Sequence, residues 1–400
     1  MPVPLTKPSE SGSAVVIQLA RLGDLVQSLP AIMALKERRL EQNLSLLCAS
    51  PLSSVAACFP GLDRVIAWEG TRWRTWATNW PVSPKRTLDE VKRYLDTSVF
   101  GAYTRAYNLN QHKRAILLSA LMADRVIGPG EHGPLDFKLP PWAAYVRAIA
   151  EDRGQNRIHL ADAFCGFCGV VPLGVRPQVV CPPASLPNDL SAFGRQDGVW
   201  VALVVGAGDT ARCMSVARWS EWIGTFLERQ ENGHVVLIGS GGERESARAI
   251  QDGLRPIVLG RVWDATGRTT LDQLIVLLAR CHWVVGADTG PLHLAAATGA
   301  RALGFYFARA RVHETGPYGE GHWVFQANAG SVNEWPMDES VELILSDMRP
   351  RMHSGEWRVW QSHVDHWGAY YTDTQTTGPD PQRERIWHRL HRFSAQAVCS

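Results

Sequence analysis

The chain of 400 residues has no uninterrupted apolar segment of the ~20 residues needed to cross a bilayer. Residues 1–13 are polar and lack the apolar stretch of a secretory signal peptide. The 41 Lys and Arg residues nearly balance the 39 Asp and Glu residues, so the formal net charge is only +2. This balance argues against a protein that binds nucleic acid through a broad basic surface. We therefore expect a cytoplasmic protein without a nucleic-acid partner.

The sequence also lacks a complete metal-binding pattern. Cys165 and Cys168 have the spacing of two metal-binding thiolates, and Cys181 and Cys213 follow them, but the four-ligand pattern of a structural site is incomplete. Cys165 and Cys168 also share one face of a helix predicted over residues 161–170. We interpret them as small buried apolar residues and expect neither a metal nor a cofactor.

The length predicts two domains, because a single hydrophobic core rarely extends beyond ~250–300 residues. Predicted strands and helices alternate along the chain, which indicates α/β domains with doubly wound parallel sheets. We place the first domain at residues 14–187 and the second at 195–348, with the proline-rich stretch 174–188 as the linker. Residues 349–400, rich in Trp and His, form a C-terminal extension to which the sequence assigns no role.

Residues 15–20 form a short apolar run, and a helical pattern follows over residues 25–39. Gly23 breaks the run and permits a positive φ angle. This strand–turn–helix predicts that Asp24 lies at the carboxyl end of a buried parallel strand, where open α/β sheets bind ligands. The alternative is that Asp24 serves only as the N-cap of the helix.

A second apolar run, residues 283–286, leads into another predicted helix start. Thr289 suits the N-cap, Gly290 allows the close approach of a ligand, and Pro291 suits the first helical turn. The N-terminus of this helix is therefore predicted to bind an anion the size of a phosphate group.

Two separated motifs and a third short segment resemble glycosyltransferase family 9, the heptosyltransferase family. The resemblance covers residues 14–323, and the order and separation of the motifs make it specific. The motifs are Arg21-x-Gly23-Asp24, Asp288-Thr289-Gly290-Pro291-x-His293 and Thr315-Gly316-Pro317-Tyr318-Gly319.

The resemblance implies two facing Rossmann-like domains, the GT-B architecture, with the acceptor on the first domain and a nucleotide-sugar donor on the second. It implies inverting transfer of a heptose-like sugar from a donor such as ADP-heptose to an anionic cell-envelope glycan or glycolipid, such as lipopolysaccharide core. It also implies that no metal is required, and no Asp-x-Asp sequence, which holds the metal in many glycosyltransferases, occurs in the chain. In this scheme Asp24 is the catalytic base, and Arg21 and Gly23 belong to the acceptor site.

On the donor side, residues 206–211 fit the dinucleotide fingerprint G-x-G-x-x-A, but the clear helical pattern begins later in the chain. We interpret these residues as a loop beside the phosphates, with Thr210 on the donor diphosphate. The lysine that the family has just after this loop is Ala217 here. Arg218 is the adjacent cation that would replace it, and Arg212 is the alternative.

Three further residues on the donor side each have two interpretations. Glu243, after a strand predicted over 234–239, either binds the ribose of the donor or is a helix-start glutamate. Asp288 organises its turn or binds the donor sugar. His293 contacts the donor or is a packed core histidine.

On the acceptor side, His112, Lys113 and Arg114 follow a strand predicted over residues 103–110. They either contact a phosphate or carboxylate of the acceptor or form the polar start of a helix. Residues 71–95 place three Trp residues at helical spacing among basic residues, which predicts an amphipathic helix with a solvated basic face. The alternative is a surface for an anionic acceptor or for lipid headgroups, with peripheral contact to the inner membrane.

Two other functions stay open. A nicotinamide-dependent oxidoreductase would use the fingerprint at 206–211 but would leave the Asp24 motif and the segment 315–319 unexplained. A non-catalytic protein that binds a sugar nucleotide is the other alternative, suggested by the missing lysine.

Overall fold

A computed structural model describes residues 13–96, 103–133, 139–190, 193–194, 197–208, 210–328, 335–353 and 355–398. Within these ranges, no helix is both long and apolar enough to span a membrane.

The chain divides into two units, each built on its own parallel sheet. Unit 1 comprises the described residues of Met1–Ala150, Ala161–Leu173 and Ile386–Ser400, and unit 2 comprises Glu151–Leu160 and Gly174–Arg385. The boundary between the two units therefore lies at residue 174, where the predicted linker begins, rather than after its end.

Unit 1 contains a five-stranded parallel sheet with the strand order β3-β2-β1-β4-β5. Val15, Ile17 and Leu47 in its central strands are fully buried, as the apolar runs predict. The elements are β1 (Ser13–Gln18), α1 (Leu22–Gln27), α2 (Leu29–Glu37), β2 (Asn43–Ala49), α3 (Ser53–Ala57), β3 (Arg64–Trp68), α4 (Gly70–Asn79), α5 (Pro84–Asp96), β4 (Tyr103–Asn108), α6 (Lys113–Met122), β5 (Ala123–Ile127), α7 (Pro141–Ile149) and α8 (Leu160–Phe167).

Two helices of unit 1 differ from the sequence prediction. The helix predicted over residues 25–39 begins earlier, at Leu22, and divides at Ser28 into α1 and α2. The helix predicted over residues 71–95 also divides, into α4 and α5, around a turn that contains Pro81, with Pro84 as the first residue of α5. Proline lacks an N–H group and disfavours helical backbone in the residue before it, so the turn follows from the sequence.

Unit 2 contains an eight-stranded sheet with the order β13-β12-β11-β10-β9-β6-β7-β8, in which β12 and β13 are antiparallel to their neighbours. Its elements are β6 (Val199–Val204), α9 (Val216–Arg229), β7 (Gly233–Ile238), α10 (Arg244–Asp252), α11 (Pro256–Leu259), β8 (Val262–Asp264), α12 (Leu271–Ala279), β9 (Trp283–Ala287), α13 (Gly290–Thr298), β10 (Arg301–Tyr306), α14 (Val312–Thr315), β11 (Trp323–Ala327), α15 (Met337–Ser346), β12 (Trp357–Asp365), β13 (Gly368–Thr372) and α16 (Pro381–Val398), the last of which counts with unit 1 from Ile386 onward.

The C-terminal residues are part of the two units rather than a separate extension. β12 adds to the sheet of unit 2 beside β11, and its Trp357 and Val359 belong to the core of that unit. Trp387 of α16 is fully buried in unit 1, where its ring lies 4.4 Å from that of Trp142. The tryptophans of this region therefore complete two hydrophobic cores.

The predicted linker packs as part of unit 2. The guanidinium of Arg176 donates to the carbonyl groups of Ala296 and Ala300, each at 2.9 Å. The backbone N–H of Val179 donates to the Ala297 carbonyl at 3.0 Å. The bonds to Ala296 and Ala297 satisfy carbonyl groups in the last turn of α13, which the helix itself leaves unpaired, and the bond to Ala300 holds the residue after its C-cap.

Cys165 and Cys168 are buried free thiols, and burial raises the pKa of both. This environment agrees with their interpretation as small apolar residues. Within the described ranges, no group of three or more His, Cys, Asp or Glu side chains is arranged to hold a metal ion.

Candidate active site

Asp24 lies in the first turn of α1, after the central strand β1. Arg21 occupies the N-cap position, and Oδ2 of Asp24 accepts a hydrogen bond from the Arg21 backbone N–H at 3.2 Å. The alternative in which Asp24 is itself the N-cap is therefore wrong. Gly23 lies inside the helix, so the positive φ expected at the break does not occur. The half-buried Asp24 carboxylate sits where the helix dipole favours a negative charge.

The loop between β1 and Asp24 is fastened by a buried asparagine that the sequence analysis did not single out. Asn110 Oδ1 accepts from the Leu19 N–H at 3.1 Å, and Asn110 Nδ2 donates to the Ile17 carbonyl at 2.8 Å. Gln18 adds a bond, because its Oε1 accepts from the Ala20 N–H at 3.2 Å. Asn110 follows β4, the neighbour of β1 at the point where the strand order reverses, which is where open α/β sheets bind ligands.

The segment after Asn110 begins helix α6. His112 is the N-cap of this helix, and its Nδ1 accepts from the Ala115 N–H at 3.1 Å, which agrees with the interpretation as a polar helix start. Burial and the nearby charge of Arg114 lower the pKa of His112. Lys113 and Arg114 are exposed in the first turn, where the positive end of the helix dipole adds to their charge.

In unit 2, the strand order reverses between β6 and β9, and the two motifs on the donor side lie at the carboxyl ends of these strands. Asp288 follows β9 and is buried. Its Oδ2 lies 3.1 Å from Arg212 Nη1, and its Oδ1 lies 3.3 Å from His293 Nε2. Arg212 Nη1 also donates to the Asp288 carbonyl at 3.1 Å. The structure thus brings Asp288, His293 and Arg212 together.

The Asp288 carboxylate is held in its charged form. Burial opposes ionisation, but the hydrogen bond from His293 and the charges of His293 and Arg212 outweigh it and lower the pKa of Asp288. A carboxyl group with a lowered pKa is a poor proton acceptor. The geometry therefore gives Asp288 a role in orienting Arg212 and the start of α13.

Thr289 occupies the N-cap position of α13, as predicted, but its side chain does not cap the helix. Its hydroxyl donates instead to the Ala287 carbonyl at 3.2 Å. Gly290 and Pro291 open the helix. The positive N-terminus of α13 is therefore left without a side-chain cap, directly beside Arg212.

The segment 315–319 contacts Asp288 through its first residue. The Thr315 side chain hydrogen-bonds Asp288, and the Thr315 carbonyl accepts from the Tyr306 hydroxyl at 2.6 Å. His159 Nε2 donates to the Gly316 carbonyl at 2.9 Å, and burial lowers the pKa of His159 to about 3. His159 lies far from Gly316 in sequence, and no local pattern indicated this contact.

Glu243 follows β7 and takes part in the turn that begins α10. Its Oε2 accepts from the Ser240 N–H at 2.5 Å, which agrees with the interpretation as a helix-start glutamate. This contact involves only one of the two carboxylate oxygens. Its Oε1 lies against Gly206, where a Cβ atom would approach it to 2.5 Å. Gly206 of the fingerprint is thus required for the placement of Glu243.

The loop after β6 does not lead directly into a long helix, in contrast to a dinucleotide-binding fingerprint. A short 3-10 turn, Thr210–Arg212, precedes α9, whose N-cap is Ser215. The Ala207 N–H donates to Cys213 Sγ at 3.2 Å, and this bond closes the loop. Arg212, within the closed loop, contacts Asp288. The side chain of Thr210 lies outside the described residues.

Arg218 occupies a different environment from Arg212. It lies in the first turn of α9, where Nη1 donates to Glu221 Oε2 at 2.9 Å on the exposed surface. Of the two cations considered as replacements for the family lysine, Arg212 is the one that contacts the Asp288 motif.

Two α/β units with mainly parallel sheets, each with its candidate site residues at the carboxyl ends of the strands where the order reverses, have the fold of GT-B glycosyltransferases. The family model of glycosyltransferase family 9 (heptosyltransferase) matches residues 101–343. The chain belongs to this family.

Three similar proteins illustrate the relationship. The chain is 32% identical over 92 residues to lipopolysaccharide heptosyltransferase 2 of Escherichia coli K12, a match that spans 22% of this chain and only 26% of that relative. The structure of E. coli ADP-heptose lps heptosyltransferase II is similar with a TM-score of 0.60 at 16% identity. The match covers 84% of this chain and 99% of the E. coli chain. A family 9 glycosyl transferase of Veillonella parvula DSM 2008 has a TM-score of 0.63 at 16% identity, with coverage of 97% and 99%.

Proposed function

We propose that the protein transfers a heptose-like sugar from ADP-heptose to a hydroxyl group of a cell-envelope glycan such as lipopolysaccharide core, with inversion and without a metal ion. Family membership supports sugar transfer, and the similarity to E. coli lipopolysaccharide heptosyltransferase 2 and ADP-heptose lps heptosyltransferase II supports the heptose donor and the lipopolysaccharide acceptor. The observation that carries the proposal is the position of Arg212 beside the uncapped N-terminus of α13.

This arrangement suits the leaving diphosphate. A helix N-terminus attracts anions through its unpaired N–H groups and its dipole. The contacts to Asp288 use Nη1 of Arg212, and a guanidinium carries further donors on Nε and Nη2 that can bind phosphate oxygens. Arg212 and α13 can therefore stabilise the negative charge that grows on the diphosphate as the bond to the sugar breaks. The absence of an Asp-x-Asp sequence from the chain agrees with a leaving group stabilised in this way.

Asp24 is proposed as the base that removes the proton from the acceptor hydroxyl. A carboxylate can accept the proton of the hydroxyl as that oxygen becomes acidic in the transition state, and the first turn of a helix favours its negative charge. The bonds of Asn110 and Gln18 fix the loop that positions it. Inversion follows from a single displacement in which the activated hydroxyl attacks the face opposite the diphosphate.

The remaining site residues receive proposed roles on each substrate. Lys113 and Arg114 bind anionic groups of the acceptor, together with Arg21 in the loop before α1. On the donor side, Glu243 accepts a hydrogen bond from the ribose, and Thr210, Thr289 and His293 contact the diphosphate or the sugar. Transfer from a nucleotide sugar to a growing envelope glycan is expected at the cytoplasmic surface of the inner membrane.

Calorimetric titration with ADP tests the proposal with a matched pair of arginine variants. Arg212→Ala should weaken ADP binding by roughly ten- to a hundredfold, the usual effect of losing a charged phosphate contact. Arg218→Ala is the control, because its exposed pair with Glu221 is expected to contribute little, and its affinity should stay within about twofold of wild type. Equal losses in both variants, or no ADP binding by the wild type, would contradict the proposed donor site.

A further inference from the structure

The hairpin of helices α4 and α5, residues 70–96, carries exposed apolar side chains at its tip. Val82 is 82% exposed and Trp80 is 51% exposed, in the turn between the helices. Leu88, one turn into α5, is 56% exposed. A group of large exposed apolar side chains is typical of a surface that binds a protein, a membrane or a ligand.

The base of the hairpin is rigidly attached to unit 1 by an aromatic cluster. The ring of Trp73 stacks on Trp68, the last residue of β3, with centroids 5.5 Å apart. Trp76 packs edge-on against Trp73 at 5.2 Å and against Tyr94 of α5 at 5.4 Å. The aromatic residues near the base are thus used for packing, whereas Trp80 extends beyond them.

The turn itself is ordered by backbone hydrogen bonds. The Val82 and Ser83 N–H groups both donate to the Asn79 carbonyl, at 3.1 and 2.8 Å. Pro81 and Pro84 restrict the backbone on either side. The apolar tip is therefore presented in one conformation, at a small entropic cost on binding.

Basic residues follow the tip directly and recur along the hairpin. The hairpin contains six basic residues and three acidic ones, a surplus larger than the net charge of +2 of the whole chain. Lys85 and Arg86, directly after the tip, line a groove of about 420 Å³ together with Asp89 and Arg93. Arg86 pairs with Glu90 at 3.1 Å, and the side chains of Lys85 and Arg86 are both exposed directly after the tip.

We propose that the α4–α5 hairpin docks unit 1 on an anionic lipid bilayer, with Trp80 and Val82 inserted among the acyl chains and the basic residues on the headgroup phosphates. An ordered apolar tip followed directly by Lys85 and Arg86 complements a surface that is negative outside and apolar inside. Trp is favoured at the boundary between these two layers.

The position of the hairpin fits the proposed reaction. β1 and β3 run parallel in one sheet, so the segments that follow them leave the sheet at the same edge. The hairpin follows β3 and Asp24 follows β1. A membrane held at this edge would keep a lipid-anchored acceptor near the proposed base. The inference rests on the proposed function for this purpose only, because membrane binding can be measured without sugar transfer.

Co-sedimentation of the full chain with phosphatidylcholine vesicles, with and without phosphatidylglycerol, tests the proposal. The wild type should bind vesicles that contain phosphatidylglycerol and bind neutral vesicles much more weakly. Val82→Asp should reduce binding by at least about tenfold, because it places a charge at the depth of the acyl chains. The double variant Lys85→Glu and Arg86→Glu should reduce it by at least about tenfold as well, and high salt should weaken wild-type binding.

Two substitutions in unit 2 serve as matched controls. Ile257 of α11 is 82% exposed, as Val82 is, and Ile257→Asp should leave vesicle binding within about twofold of wild type. Arg248→Glu on the exposed face of α10 is the corresponding charge control. All five substituted residues are exposed, so circular dichroism should show an unchanged fold.

Three outcomes would overturn the proposal. These are the absence of wild-type binding to anionic vesicles, equal losses in the control variants, and unchanged binding of Val82→Asp. The last would show that basic residues attract the headgroups without insertion of the tip. Loss of vesicle binding in Val82→Asp with unchanged ADP affinity would support the docking surface whether or not the donor assignment stands.

Discussion

Arg212 Nη1 lies 3.1 Å from Asp288 Oδ2 and 3.1 Å from the Asp288 carbonyl oxygen, so one guanidinium fixes both the side chain and the backbone at the start of α13. The other oxygen of the same carboxylate, Oδ1, accepts a hydrogen bond from His293. A single buried residue therefore joins the loop after β6 to the helix after β9. Asp288 therefore positions Arg212 and the start of α13, which form the proposed donor site.

Asp288→Asn should lower the free energy of unfolding by about 1–3 kcal/mol at pH 7, because Arg212 and His293 lose their charged partner. The pKa of Asp288 is lowered on folding from its ordinary value of 3.8. Its stabilising contribution is therefore fully present above that value and is lost as the pH falls through the lower pKa of the folded state. Urea unfolding of both proteins at pH 7 and pH 3 measures this. A difference in stability that stays constant between the two pH values would contradict the assignment.

Asp24→Asn should reduce turnover by roughly a hundredfold or more, the usual scale for loss of a general base. The fold should be unchanged, because the amide oxygen of Asn can accept the Arg21 N–H in place of the carboxylate. ADP affinity should also be unchanged, because the donor groups lie in unit 2. Steady-state rates and ADP titrations of the same preparation separate these effects. A variant with a near wild-type rate would show that Asp24 only stabilises the start of α1.

Asn110→Ala should destabilise the protein by about 1–3 kcal/mol, because the Leu19 N–H and the Ile17 carbonyl lose their buried partner. The loop that leads to Asp24 should also become less well fixed, so kcat should fall while the ADP affinity of unit 2 is retained. Asn156, a buried asparagine of unit 2, provides the control: Asn156→Ala should lower stability without this selective loss of kcat. Equal kcat for the Asn110 variant and wild type would exclude a positioning role.

His159 is neutral in the folded protein, because burial lowers its pKa to about 3 from the ordinary value of 6.5. Below pH 6.5 the unfolded chain binds a proton at His159, whereas the folded chain does not until about pH 3. The free energy of unfolding therefore has its full value above pH 6.5 and decreases as the pH falls toward 3. Protonation of His159 in the unfolded chain should by itself lower the free energy of unfolding by about 2 kcal/mol at pH 5 relative to pH 7.5. His159→Gln should remove this part of the loss, because glutamine does not titrate. Identical pH dependence in wild type and His159→Gln would contradict this assignment.

The elements that carry the site could be predicted because their sequences are locally consistent. The apolar runs of β1 and β9 and the Thr-Gly-Pro start of α13 have few alternatives, and the structure confirms them. The strands β12 and β13 were missed. Buried and exposed residues alternate at the start of β12, but the abundance of Trp and His concealed this pattern.

The contacts between distant residues could not be predicted from local sequence. Arg212 and Arg218 are equally cationic, and only the fold of the loop after β6 determines which one meets Asp288. His159 reaches Gly316 across more than 150 residues, and Asn110 reaches Leu19 across 91. Such pairs depend on how strands are ordered in the sheet, which a single sequence leaves open.

The most direct test of the proposed function is the mass of an acceptor after incubation with the purified protein and ADP-heptose. The acceptor is a lipopolysaccharide core that lacks the added heptose, and EDTA is present throughout. We predict that the acceptor gains one heptose residue for each ADP released, and that Asp24→Asn, at equal ADP affinity, produces almost none. An unchanged acceptor mass with the wild type, despite measured binding of ADP-heptose, would contradict sugar transfer and would indicate a protein that only binds the sugar nucleotide.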